Sequence, residues 1–314
     1  MKSNNLIIFI MILAVFCLAG GAMADPIRTD MAINDIPAEY RSPAQQAGEV
    51  VRFDYNTATE AKYAYVYLPY GYNPEQRYDI LYMMHGGGGS QESLFGGAGQ
   101  NNDIKNTIDH LIENGEMKPI LIVTPTFYTR QNSSTSVGGS WDAVREFPAE
   151  LVNYLIPAVE SAYSTYAETV DDAGFTASRD HRAFGGFSMG SVTTWYVFGQ
   201  AMRYFGLYIP VSGDSWAVSM QGGASQPDAT AKALADSVAA QGFDANAFHI
   251  YAITGSADIA EPCMTPQIGA MEAYPDLFIG GNNTYYFVKQ GGYHTMTYVK
   301  EYLYNLLPLI YGGH

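Results

Sequence analysis

The chain has 314 residues, 47% of them hydrophobic and only 15% charged, which is enough apolar material for a sizeable core and excludes a disordered protein. Asp and Glu outnumber Lys and Arg by 31 to 16, giving a formal charge of −15. A surface this acidic repels phosphate backbones and anionic lipid, so it argues against nucleic acid or a membrane surface as partner and favours a neutral one.

The first segment reads as a targeting signal. Lys2 precedes Leu6–Leu18, a stretch with no charge, and Ala19-Gly-Gly-Ala-Met-Ala24 supplies the small residues of a cleavage site. The apolar stretch is too short for the roughly 20 residues a membrane span needs. The expectation is a secretory signal over 1–24, a short lead-in over 25–46 and one domain over 47–314, in a protein released outside the cell or into a periplasm. Cys17 lies in the expected signal. Cys263 then has no intrachain partner and is expected to be a small buried apolar residue.

From there strand-like and helix-like segments alternate. Tyr63–Leu68 is aromatic and β-branched up to Pro69, and Tyr78–Met84 is an unbroken apolar run ending in His85-Gly-Gly-Gly-Gly89. Helical spacing covers Ile104–Asn114. Another apolar run spans Lys118–Phe127, followed by a polar loop, Arg130–Trp141, expected near the rim of a site. Phe147, Leu151, Tyr154, Leu155 and Ala158 mark a further helix, in which Pro157 predicts a kink or break.

The second half repeats the rhythm. Strands are expected at Arg182–Phe187, Gly206–Val211, Phe248–Thr254 and Thr284–Lys289, with helices at Val192–Met202 and Met296–Tyr311. Runs without alternation suit strands buried on both faces, so the pattern implies an α/β sandwich whose central sheet is mostly parallel. In such sheets chemistry gathers at the carboxyl ends of the strands.

Gly186-Phe-Ser188-Met-Gly190 lies between an expected strand and an expected helix, the setting in which Gly-x-Ser-x-Gly exposes a nucleophilic serine on a sharp turn. Serine needs a base. Of the six histidines, His110 falls in a helix, His181 and His249 at strand starts, and His314 at the chain end; His85, at the glycine-rich turn, reads as structural. His294, just past the last strand, has the right place and order. The acid that orients it should lie between Ser188 and His294 at a strand end. Asp258 after the penultimate strand is preferred, with Asp214 the alternative and Glu261 third. Oxyanion donors are expected from the amide of Met189, next to the serine, and from the glycine turn, where Gly87 is the choice. No metal ligand set or nucleotide-binding pattern stands out, and the chemistry of a serine hydrolase requires no cofactor.

These segments resemble a known family. His85-Gly-Gly-Gly, Gly186-Phe-Ser-Met-Gly190, Ser212-Gly-Asp-Ser-Trp216, Thr254-Gly-Ser-Ala-Asp-Ile259 and Gly-Tyr-His294 look like carbohydrate esterase family 1, above all the feruloyl esterase modules of bacterial xylanases. The likeness runs from about Val51 to the C-terminus and includes Met264–Met271. It implies an α/β-hydrolase fold with helices on both faces of the sheet, a Ser188–His294–Asp258 triad, and hydrolysis of ferulate esters on the arabinose side chains of xylan. It places Trp216 in the wall of the phenolic-acid pocket. The alternatives are an acetyl-xylan esterase, an acyltransferase or a peptidase of related fold, and a glycan-binding protein without catalysis. Oligomeric state is left open.

Overall fold

The computed structural model describes Ile27, residues 31–135 and residues 140–312. The expected signal over 1–24, the start of the lead-in and His314 lie outside the described residues. The lead-in from residue 31 is docked rather than trailing. Asn34 and Asn305 exchange hydrogen bonds, Asp35 pairs with Lys289 at 2.7 Å, and Asn106 donates to the Arg41 carbonyl.

Eight strands form one sheet: β1 (Glu49–Asn56), β2 (Ala61–Leu68), β3 (Asp79–Met84), β4 (Ile120–Thr124), β5 (Arg182–Phe187), β6 (Leu207–Val211), β7 (His249–Gly255) and β8 (Thr284–Lys289). Their order is β1-β2-β4-β3-β5-β6-β7-β8, antiparallel for β1–β2 and β2–β4 and parallel from β4 onward. The helices are α1 (Asp103–Glu113), α2 (Trp141–Glu150), α3 (Ile156–Ala162), α4 (Asp172–Ala177), α5 (Met189–Ala201), α6 (Gly222–Ser225), α7 (Pro227–Ala240), α8 (Glu261–Met271) and α9 (Met296–Tyr311).

The unbroken apolar runs have the predicted cause. In β3, Ile80, Tyr82 and Met84 enter one core with α2, α3, α5, α7 and α8, while Leu81 and Met83 enter a second core with α1 and α9. A strand covered on both faces has no polar side to show. Strand β4 is shorter than the Lys118–Phe127 run because Pro119 and Pro125 bracket it and cannot donate to a ladder.

Three expectations change. Strand β1 was not read from the sequence, because Val50-Val51 interrupts its alternation. Helices α7 and α8 were also unread; α8 carries Pro262 and Pro266 and is apolar nearly all round. The interruption expected at Pro157 falls just before it, as a π-helical turn, Leu151–Leu155, that joins α2 to α3 without a gap.

At the foot of β5, Arg182 and Glu160 form a fully buried two-pronged ion pair, 2.6 and 2.8 Å, with Tyr82, Thr165, Ser178 and two carbonyls completing the shell. The strand is thus anchored at its amino end, opposite Ser188.

Candidate active site

Strand β5 ends at Phe187, and the chain turns into α5 through Ser188, whose φ of 56° and ψ of −115° are costly for a residue with a Cβ. The flanking glycines are a steric requirement. A Cβ on Gly186 would lie 2.5 Å from the Gly190 carbonyl, and one on Gly190 would lie 2.4 Å from the Met84 oxygen. The Ser188 amide donates to the Val211 carbonyl at 2.9 Å, which fixes the turn to β6.

The turn presents Ser188 Oγ at 2.9 Å from His294 Nε2, and His294 Nδ1 lies 2.7 Å from Asp258 Oδ1. The carboxylate can only accept, so Nδ1 carries the proton and Nε2 is free to accept from the serine hydroxyl. Asp258 Oδ1 also accepts the Ala260 amide at 2.8 Å, and the side chain is fully buried, against 20% exposure for His294. The Phe187 ring packs on the imidazole at 4.5 Å between centroids. Three strand ends, β5, β7 and β8, supply the row.

The glycine-rich turn lies beside it. Gly89 donates to the Gly86 carbonyl and Gly88 has a φ of +75°, a tight turn that needs glycine at its third position. Gly87, at the second, sits against Met189, since a Cβ on it would be 3.1 Å from Met189 Cγ. The Met189 amide is the first of α5, one of the N–H groups a helix leaves without an internal acceptor.

His85 holds the turn from below. Its Nδ1 donates to the Gly86 carbonyl and its Nε2 accepts from Thr126, both at 2.7 Å; burial pushes its pKa down to about 4, so the ring is neutral. Tyr128 accepts from the Gly88 amide at 2.8 Å, and its ring stacks on His85. Neither Thr126 nor Tyr128 was singled out from the sequence. Their position just past the carboxyl end of β4, which pairs with β3, was the available signal.

A cavity of about 50 Å³ opens at Ser188 and His294, walled by Trp216, Met189, Val192, Ile259, Cys263 and Asp214. Trp216 is therefore at the site, and Cys263 is buried, as expected, but in the cavity wall. Ile259 and Cys263 were not foreseen as lining residues. Asp214 shares the cavity but does not orient His294: its oxygens accept from Trp216 Nε1 at 3.1 Å and from the Gly223 amide at 2.8 Å. Glu261 heads α8 and accepts from Thr265. The 130–141 loop starts elsewhere, with Gln131 and Asn132 lining a separate polar groove of about 330 Å³ beside α2. Residues 136–139 lie outside the described residues. Trp141, at the loop's end, meets the Trp216 ring edge-on at 6.2 Å.

The remaining histidines stand apart from this cavity. His110 is within α1, His249 opens β7, and His181 pairs with Asp79 and stacks on Tyr166.

Sheet topology and the position of Ser188 at the β5–α5 turn put the chain among the α/β-hydrolases. The family model described as "Putative esterase" matches residues 57–258, and the chain belongs to that family. It is 40% identical over 282 residues to endo-1,4-beta-xylanase Y of Acetivibrio thermocellus, covering 88% of this chain but 24% of the relative, so the chain spans about a quarter of that protein's length. A solved serine-to-alanine mutant of the feruloyl esterase module from Clostridium thermocellum, complexed with sinapinate, superposes with a TM-score of 0.79 at 36% identity, over 93% of this chain and 96% of that one. A ferulic acid esterase of carbohydrate esterase family 1 from Anaeromyces mucronatus shares the fold at 17% identity, TM-score 0.61, over 89% and 97% of the two chains.

Proposed function

We propose that the chain is a serine esterase that hydrolyses hydroxycinnamate esters, ferulate foremost, on the arabinose side chains of xylan. The observation that carries this is the Ser188–His294–Asp258 row opening directly onto a cavity walled by Trp216, Val192 and Ile259. The similar module bound to sinapinate, itself a hydroxycinnamate, supports the choice of acyl group.

Ser188 Oγ attacks the ester carbonyl while His294 Nε2 takes its proton, and Asp258 stabilises the imidazolium. The oxyanion rests on the amides of Gly87 and Met189. His294 then protonates the departing sugar alkoxide. In the second half a water, activated by the same nitrogen, attacks the acyl-enzyme, and the free acid leaves with Ser188 restored. No step asks for a cofactor.

The protein acts outside the cytoplasm on this reading, because Lys2 and the Leu6–Ala24 segment have the form of a secretory signal. Among the described residues no helix is long and apolar enough to cross a membrane. The strong negative charge is compatible with a neutral polysaccharide and unsuited to nucleic acid.

The test is hydrolysis of methyl ferulate and of acetylated xylan by wild type and Ser188→Ala. Ferulate release that disappears in the folded mutant is the expected result. Turnover retained by Ser188→Ala would sink the nucleophile, and acetate release without ferulate release would favour the acetyl esterase.

A further inference from the structure

Asp214 is a buried carboxylate, 3% exposed, in the cavity that holds Ser188 and His294, and the mechanism above makes no use of it. A carboxylate so placed is kept only where donors satisfy it. Here the donors are the indole N–H of Trp216 at Oδ1 and the amide of Gly223 at Oδ2. The second contact needs a glycine. A Cβ on Gly223 would lie 2.4 Å from the Cys263 carbonyl and 2.8 Å from Asp214 Cβ, so α6 is pressed hard against the carboxylate.

The backbone around it is held from other directions. Ser191 and Trp195, both on α5, donate to the Gly213 carbonyl at 2.6 and 3.0 Å. The Ser215 amide donates to Gln267 of α8, and Tyr196 donates to the Trp216 carbonyl. With the main chain of 213–216 pinned, the Trp216 indole is the part left to orient. Its ring stands perpendicular to that of Trp141, and its N–H is held by Asp214.

We propose that Asp214 is a positioning residue of the acyl pocket: its carboxylate locks the Trp216 indole and the Gly223 amide, and so shapes the slot beside Ser188 for a flat aromatic acyl group. This rests on the esterase reading of the site. An acetyl group ends close to the reacting carbonyl and does not extend along the indole, so the lock should matter for cinnamoyl esters and little for acetyl esters.

The lock is also sensitive to pH. Burial raises the Asp214 pKa to about 6, with the Trp216 and Gly223 donors opposing the rise. The titratable groups on the elements packed around it are Tyr196 on α5, Glu261 and Cys263 on α8, and His294 across the cavity. Below pH 6 the protonated acid is a weaker acceptor for the indole.

Two measurements test this. Steady-state kinetics compare methyl ferulate with 4-nitrophenyl acetate for wild type, Asp214→Asn and Asp214→Ala. KM for methyl ferulate should rise about ten- to a hundredfold, the loss expected when a hydrogen bond to a buried charge goes. It should rise less for Asn, which keeps one acceptor oxygen, and the loss in kcat/KM should be at least about fivefold larger for methyl ferulate than for the acetyl ester. Equal losses on both esters, or an unchanged KM for methyl ferulate, would overturn the proposal.

The second measurement needs no Asp214 variant. The chain has three tryptophans, so its 15N indole spectrum is simple, and Trp216→Phe assigns the peak. In wild type that peak should lie downfield of a free indole N–H at neutral pH and move toward the free position on acidification through about pH 6; a peak at the free-indole position throughout refutes the lock. Should wild type cleave the acetyl ester but not methyl ferulate, the proposed function and the slot both fail, and the indole titration still judges the lock alone.

Discussion

Asp258→Asn separates two things the acid does for His294. Asp258 Oδ1 serves two donors, His294 Nδ1 at 2.7 Å and the Ala260 amide at 2.8 Å, while Oδ2 is buried with no hydrogen-bond partner among the described residues. An asparagine in the same place has one orientation that works. Its carbonyl oxygen must take the Oδ1 position, because the reverse sets an NH₂ against the Ala260 N–H, a fixed donor that no change of histidine tautomer relieves, at about 1–3 kcal/mol. The imidazole therefore keeps its proton on Nδ1 and its aim at Ser188.

What is lost is the charge. With charge centres about 4 Å apart and an effective dielectric constant of about 20, suited to a partly exposed ring, the attraction between carboxylate and imidazolium is about 4 kcal/mol. It acts mainly on the transition state, so kcat should fall about 10³-fold. Asp258→Ala also frees the ring and orphans the Ala260 amide, and should fall about tenfold further. The assay is release of 4-nitrophenolate at saturating ester, with a melting curve for each variant. An Asn variant within tenfold of wild type would refute the electrostatic role. An Asn variant as impaired as Ala would refute the argument that Ala260 sets the amide's orientation.

Ser188 stores strain at φ 56°, which glycine does not feel. Ser188→Gly and Ser188→Ala should both be inactive, with the Gly variant about 1 kcal/mol more stable in urea; equal midpoints would show that no strain is held there. Arg182→Met leaves Glu160 buried without its cation and should cost about 3–5 kcal/mol, most of it regained on adding Glu160→Leu. A single-mutant loss below about 1 kcal/mol would contradict the burial argument. Two groups should oppose one another in acid. His85, ordinarily at 6.5, is held down to about 4, so its contribution of about 3 kcal/mol is complete above pH 6.5 and is lost as pH falls toward 4. Asp214, ordinarily at 3.8, is raised to about 6, so its contribution, also about 3 kcal/mol, is present below pH 3.8 and is lost as pH rises toward 6. Denaturant midpoints between pH 4 and 6 should therefore climb on acidification in His85→Gln relative to wild type, and drop in Asp214→Asn; the opposite order would reverse the assignment.

Local chemistry made much of this legible. Prolines at 119 and 125 bracket β4, the glycines at 186 and 190 announce a turn too tight for side chains, and Ser188, Asp258 and His294 come in the right order at the ends of β5, β7 and β8. Asp258 is preferred to Asp214 for its place after the penultimate strand, but each follows a strand of the parallel sheet, so position alone does not exclude Asp214. Tertiary contacts separate them. Past β6 the chain turns at Ser212, with φ of 53°, and α5 captures it through the Gly213 carbonyl, which directs Asp214 to Trp216 and Gly223. The same limit applies to Thr126 and Tyr128, whose partnership with the glycine turn depends on β4 lying beside β3, a matter of strand order.

Strand order also explains a pair of glycines that do no chemistry. Strands β5 and β8 are three places apart, with β6 and β7 between them, a separation of about 14 Å at the usual strand spacing. For His294 to meet Ser188, the chain leaving β8 must lean back over the end of β7. It does so by laying backbone on backbone: the Ala257 amide donates to the Gly292 carbonyl, and a Cβ on Gly255 would lie 2.2 Å from that same oxygen. On the far side a Cβ on Gly292 would lie 2.6 Å from the Tyr302 hydroxyl. A methyl group at either position lifts the loop off the sheet and draws the imidazole away from the serine. Gly255 and Gly292 thus set the 2.9 Å contact on which the site depends, and the Gly-Gly before Tyr293 is visible in the sequence while the strand end it must cross is not.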